Sequence, residues 1–167
     1  MSDFFGIEIP DAGAIFLGMV AVHIAAGVTA VVAGATVMLT RKGTRRHRRV
    51  GWTYLLALAV IFVTMVVMVA IRWPLNLHLL ALGTLSVTAA SLGVLNRRRK
   101  WADSWHIIAI GTSYIAMLTA FYGDNGPQLP IWSLLPGWAF WVLPTIVGAP
   151  IIWWAVHRRA RRGLPRA

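Results

Sequence analysis

The sequence predicts an all-α integral membrane protein of five transmembrane helices. Four of them form a pseudo-symmetric four-helix bundle, a duplicated helical hairpin, and the fifth stands outside the repeat. Three observations predict this. Of 167 residues, 58% are hydrophobic and 13% charged, about half the charged share of a soluble domain. The apolar residues gather into five runs, each near the ~20 residues that cross a bilayer. Fifteen of the sixteen lysines and arginines fall on one side of a five-span path, as positive-inside topology requires. Residues 1–167 read as a single membrane domain.

The first span is read over 14–40. Its leader carries Asp3, Glu8 and Asp11. A signal peptide is positive there and has a shorter apolar core, so this span is expected to be retained. Arg41, Lys42, Arg45, Arg46, Arg48 and Arg49 then precede a second span over 50–73. The third, 75–95, ends in Arg97-Arg98-Arg99-Lys100, and the fourth covers 104–122. Residues 124–136 hold Gly126, Pro127, Pro130 and Pro136 and are expected to form a structured outer loop. The fifth span, 137–156, contains Pro144 and Pro150. They should kink it unless neighbours satisfy the released carbonyls. A basic tail, 157–167, follows. Both basic loops and the C-terminus are therefore expected in the cytoplasm and the N-terminus outside; Arg72 alone lies at the opposite face. Most of the nine tryptophans fall at span ends, where an aromatic belt belongs.

Composition also excludes chemistry. With no cysteine, there are no disulfides, thiolate metal sites or thiol nucleophiles. No carboxylate is placed at mid-membrane, which disfavours a proton-coupled carrier. There is no phosphate-binding glycine loop, dinucleotide fingerprint or serine nucleophile motif. The arginines flank spans rather than building a reading helix, so no nucleic-acid partner is expected. The lipid bilayer is the expected partner, with anionic lipids at the basic loops.

The first four spans read as two copies of one hairpin. His23 lies on the first span; a basic loop follows, then His47 and Gly51-Trp52-Thr53-Tyr54. His78 lies on the third; a basic loop follows, then His106 and Gly111-Thr112-Ser113-Tyr114. The copies run in the same direction, so their pseudo-two-fold axis would lie along the membrane normal. The histidine-to-glycine gap is four residues in one copy and five in the other. One residue is ~100° around a helix, which weakens the geometric equivalence.

Ionisable groups inside spans face a bundle interior or a cavity. His23 and His78 each precede the inner end of their span by seventeen residues, ~26 Å at the helical rise. His47 and His106 sit near the inner start of theirs. Four histidines thus form an outer pair and an inner pair. Two imidazoles at equal depth can ligate one haem iron axially. Gly27, Ala30 and Gly34 follow His23 at helical spacing and leave room for a flat macrocycle, or for close helix packing. Tyr54 and Tyr114, with Thr53 and Ser113, are placed to hydrogen-bond around the site. His47 reads as part of a basic loop, and His157 as interfacial.

Two resemblances follow from these residues. His47-Arg48-Arg49-Val50-Gly51-Trp52-Thr53-Tyr54, Trp105-His106 through Ser113-Tyr114, Asp124-Asn125-Gly126-Pro127 and Leu129-Pro130-Ile131-Trp132 together resemble a family of uncharacterised bacterial multi-pass membrane proteins with a His-Arg-Arg-x-Gly motif. The resemblance covers most of the chain and implies the bacterial cytoplasmic (inner) membrane, with no known activity. The histidine pattern is similar to that of the ascorbate-reducible dihaem b-type transmembrane cytochromes, although the spacings are shorter here. That similarity implies an outer haem on His23 and His78 and an inner haem on His47 and His106. It also implies a small anionic reductant held by Lys42 or Arg46.

The function expected is transmembrane electron transfer through one or two b-type haems, an oxidoreductase role with a quinone or a small anionic reductant as partner. A non-catalytic membrane scaffold or accessory subunit with packing histidines is the first alternative. A small-molecule transporter is the second. A homo-oligomer or a larger membrane complex is compatible with each.

Overall fold

The computed structural model describes residues 2–4, 7–9, 13–73, 76–95 and 102–162, with side chains over 13–73, 76–95 and 104–159. The described chain is dominated by five helices: α1 (Gly13–Leu39), α2 (Arg45–Ile71), α3 (Leu77–Leu95), α4 (Ala102–Asn125) and α5 (Gly137–Arg162). All five are long and apolar enough to cross a membrane. Ahead of them, β1 (Ser2–Phe4) and β2 (Ile7–Ile9) pair antiparallel, with Asp3 opposite Glu8. Three-residue strands are too short for alternation to show in a sequence, and this hairpin was not anticipated. The basic run 97–100 lies outside the described residues, as do 163–167 with Arg166.

Three boundaries differ from expectation, for one reason. Hydropathy marks where a span ends, not where a helix ends. The helix α2 starts at Arg45, not at 50, because Thr44 caps it: its Oγ1 accepts from the backbone N–H of His47 at 3.1 Å. His47 is therefore helical and 6% exposed, not part of a loop. The fourth helix runs through Asp124 and Asn125, so the outer connection is shorter than 124–136. It consists of two 3₁₀ turns, Gly126–Gln128 and Trp132–Leu134. The expected tail is helical through Arg162.

The helices group into two compact units, Met1–Leu80 and Ala81–Ala167. In the first, α1 and α2 form an antiparallel hairpin whose register is visible along its whole length. Arg72 lies over the Phe16 ring at 4.3 Å. His23 meets Thr64. A side-chain carbon on Gly51 would touch Val37 at 3.7 Å. Thr40 meets His47. Each step down α1 is matched, to within one residue, by a step up α2. Between His23 and Val37, the residues Gly27, Ala30 and Gly34 recur every three or four positions and so share their face. Ala30 and Gly34 are buried, whereas a carbon added at Gly27 meets nothing within 4 Å. Tyr54, Leu58, Met65 and Val69 are buried on α2. Close packing of this kind, rather than a hydrophobic drive, holds helices together in lipid.

The second unit joins α3 from Ala81 onward, α4 and α5. Ser86 Oγ on α3 donates to the carbonyl of Ser113 on α4 at 2.8 Å, and both side chains are buried. Glycines set the α4–α5 contact. A carbon on Gly111 would lie 2.5 Å from Ile152, and one on Gly148 2.5 Å from Ile115. Each helix thus receives an isoleucine of the other where it has no side chain. Further out, Gly123 faces Trp141 and Gly126 faces Phe140. The fifth helix runs unbroken through Pro144 and Pro150.

Candidate functional site

Histidine is where the chain concentrates chemistry, and three of the five hold one geometry. His23 lies ten residues into α1. Its Nδ1 is 2.9 Å from Thr64 Oγ1. The Thr64 hydroxyl hydrogen is already directed at its own helix, to the carbonyls of Val60 and Ile61 at 2.8 and 2.9 Å. With that hydrogen on its own helix, the oxygen is free to accept and the imidazole donates from Nδ1. His47 repeats the arrangement at the other end of the hairpin. Thr40 Oγ1 donates to the Val37 carbonyl at 2.9 Å and accepts from His47 Nδ1 at 3.2 Å. In the second unit, His106 Nδ1 lies 2.9 Å from the carbonyl of Gly93. A carbonyl only accepts, so Nδ1 is again the donor.

The consequence is chemical. In a neutral imidazole one nitrogen carries the proton and the other the lone pair. With Nδ1–H committed to the neighbouring helix, the lone pair resides on Nε2 in His23, His47 and His106. Each ring is also fixed in orientation by that bond. A metal-binding imidazole is held in this way: the non-ligating nitrogen donates to a carbonyl or another oxygen, which sets the tautomer and aims the ring.

His78 stands apart from these three. It is the second residue of α3 and is exposed. His157 lies near the C-terminal end of α5. Its Nδ1 donates to the Trp153 carbonyl at 2.9 Å, and its ring packs against Trp153, tilted 38°, with centroids 4.2 Å apart.

The repeated Gly-x-[Thr/Ser]-Tyr motif does not behave as a repeat. Gly51 faces Val37 on α1, whereas Gly111 faces Ile152 on α5. The residues that match lie seven beyond each inner histidine: Tyr54 is 1% exposed and Ser113 is 0% exposed. The extra residue between His106 and Gly111 turns that glycine by about 100° and hands it to another helix. Tyr114 is half-buried. Thr53 only bonds its own helix, through the Arg49 carbonyl at 3.2 Å.

Of the expected reductant-binding pair, Arg46 is exposed on the first turn of α2. Lys42 lies in the turn between α1 and α2, where desolvation pulls its pKa below the ordinary lysine value. Among the described residues, no three histidine, aspartate or glutamate side chains gather closely enough to hold a metal ion by themselves. A bis-imidazole haem site needs only two. The residues that sequence reasoning missed are Thr40, Thr64 and Gly93, the partners of the imidazoles. Thr64 was legible in principle, as a lone polar residue in an apolar run.

No family model, no curated protein and no solved structure matches the chain.

Proposed function

We propose that the protein is a membrane-embedded electron-transfer protein that holds b-type haem through the Nε2 atoms of its histidines. One observation carries this reading: His23, His47 and His106 each place Nδ1 within hydrogen-bond distance of an oxygen, that of Thr64, of Thr40 and of the Gly93 carbonyl respectively. The donor set fits haem, because neutral imidazole is an axial ligand of haem iron. Gly27, one turn below His23, adds open space where a carbon would meet nothing. Within this proposal, the ligands come from His23, His78, His47 and His106. The haem, when bound, supplies reversible one-electron chemistry. The protein supplies ligand orientation and an apolar surround. Lys42 and Arg46 provide positive charge for an anionic reductant.

In the same proposal the five helices cross a bacterial cytoplasmic membrane with the N-terminus outside, the four-helix core being a pseudo-symmetric duplication. The chain has no cysteine, so single cysteines report topology cleanly. A thiol reagent that cannot cross the membrane should label Ser133→Cys in intact cells and leave Arg41→Cys unlabelled. The reverse pattern would invert the topology.

The absorption spectrum of protein expressed with haem supplied tests the electron-transfer reading. A Soret band that shifts on reduction is expected, with His23→Leu and His106→Leu each losing intensity. A colourless protein would refute it. The scaffold reading would then stand, since the same imidazole bonds and the burial of Ala30 and Gly34 also serve helix packing.

A further inference from the structure

A groove of about 730 Å³ runs along the second unit between α3, α4 and α5. Its lining includes the small Ala116 and Ala149 and the large Leu85, Trp141 and Trp153. It follows α5 from Trp141 to His157, sixteen residues or ~24 Å of helix. That is most of the ~30 Å hydrocarbon core. The lining is overwhelmingly apolar, and its one ionisable side chain is His157, near the C-terminal end of α5. This site makes no use of the histidines assigned above.

We propose that this groove binds an isoprenoid quinol, with the tail along α5 and a ring hydroxyl donating to His157 Nε2. Three features select that class. The groove is long and largely apolar, with Thr112, Thr119 and Thr145 among its lining, which suits an extended tail. Its polar end is one imidazole whose Nδ1–H is committed to the Trp153 carbonyl, so the neutral ring offers Nε2 as an acceptor. A quinol has a hydroxyl to give, whereas the oxidised quinone has only carbonyl acceptors. Among the described residues, no lysine or arginine lines the groove to offer a phospholipid phosphate a countercharge. The nearby Arg158 is engaged over the Trp154 ring at 4.8 Å. The flat Trp153 ring, tilted 38° to the imidazole, presents a surface for a planar headgroup. The role as electron donor rests on the electron-transfer reading; the binding site itself does not.

The test is isothermal titration of the full chain in phosphatidylcholine nanodiscs, with empty nanodiscs as the blank. The probes are a decyl-substituted benzoquinol kept reduced, the corresponding quinone, and decylbenzene. Saturable quinol binding is expected, tighter than the quinone by about fivefold, the worth of one neutral hydrogen bond. Decylbenzene should bind weakest. His157→Leu should abolish the preference for quinol over quinone, and His157→Gln, whose amide oxygen accepts, should retain it. Ala149→Trp should fill the groove and block both ligands. Equal binding of all three probes would overturn the proposal, as would an unchanged preference in His157→Leu. So would displacement of quinol by phosphatidic acid at equal concentration, which would make the groove a lipid seat. Haem absorbance of the same sample separates the two readings. A colourless protein that still prefers quinol keeps the site and loses the electron-transfer role. A haem-loaded protein without the preference does the opposite.

Discussion

The α1–α2 hairpin and the α4–α5 pair solve the same problem by different means. The hairpin is fastened at intervals by polar or charged contacts: Arg72 on Phe16, His23 on Thr64, His47 on Thr40. Between them lies a stripe of small residues that is not fully used, since Gly27 touches nothing on its open side. The α4–α5 pair is marked instead by glycines that each receive an isoleucine or an aromatic ring. Interlocked packing is intolerant of added volume, whereas a few polar fasteners leave room between them. The region with room is the one that carries two of the proposed ligands.

The sharpest way to break this comparison is a matched pair of glycine substitutions. Gly148→Ala places a carbon 2.5 Å from Ile115 and should cost about 1–3 kcal/mol through overpacking. Gly27→Ala meets nothing within 4 Å and should gain up to ~1 kcal/mol from helix propensity. Unfolding by denaturing detergent, followed by circular dichroism, reads both. Equal effects would show that the two regions are packed alike.

The next effect in size concerns the start of α2. Thr44 accepts from His47 N–H and also donates to the Arg41 carbonyl at 2.8 Å. Thr44→Ala should cost about 1 kcal/mol as a lost helix cap and should loosen His47. A variant as stable as the parent would remove the explanation for why this basic segment is helical.

Polar pairs inside the units should matter less. Ser86→Ala removes the bond to the Ser113 carbonyl and should cost about 0.6 kcal/mol, the average for such bonds between membrane helices. Thr64→Val removes the His23 acceptor and should cost a similar amount. If Ser86→Ala exceeds the glycine effect at Gly148, polar contacts rather than interlocking dominate the second unit.

The smallest effect is a pH dependence at Lys42. Desolvation lowers its pKa from the ordinary 10.5, so the folded state disfavours the charged form. The destabilisation is present below the lowered folded value, where the amine is protonated in both states. It is lifted as pH rises from the lowered folded value to the unfolded one. Stability should therefore climb over that window in the parent and stay flatter in Lys42→Met. A parallel profile in the two proteins would contradict the desolvation.

Much of the architecture was legible from hydropathy alone, because a span must satisfy its backbone within itself and so declares its length in apolar residues. The helix ends were not. Arg45–Arg49 and His157–Arg162 are helical although polar, since a helix continues into water as long as capping and propensity allow. Equivalence of the two copies was only half legible. His47 and His106 do the same thing, reaching back through Nδ1 to the preceding helix. Gly51 and Gly111 do not, because one inserted residue rotates the second toward α5. Which nitrogen each imidazole uses was invisible in the sequence, since it depends on Thr64 and Thr40 spending their own protons on carbonyls of their own helices. Of the sequence features that drew notice for room beside His23, only Gly27 stays open, while Ala30 and Gly34 are buried.

The tautomers themselves can be measured. Solid-state ¹⁵N NMR of histidine-labelled, haem-free protein in bilayers distinguishes a protonated ring nitrogen from one bearing a lone pair, and single-histidine substitutions assign the signals. With the rings neutral, the account predicts the proton on Nδ1 and the lone pair on Nε2 in His23, His47 and His106. Protons found on Nε2 in these three residues would contradict it.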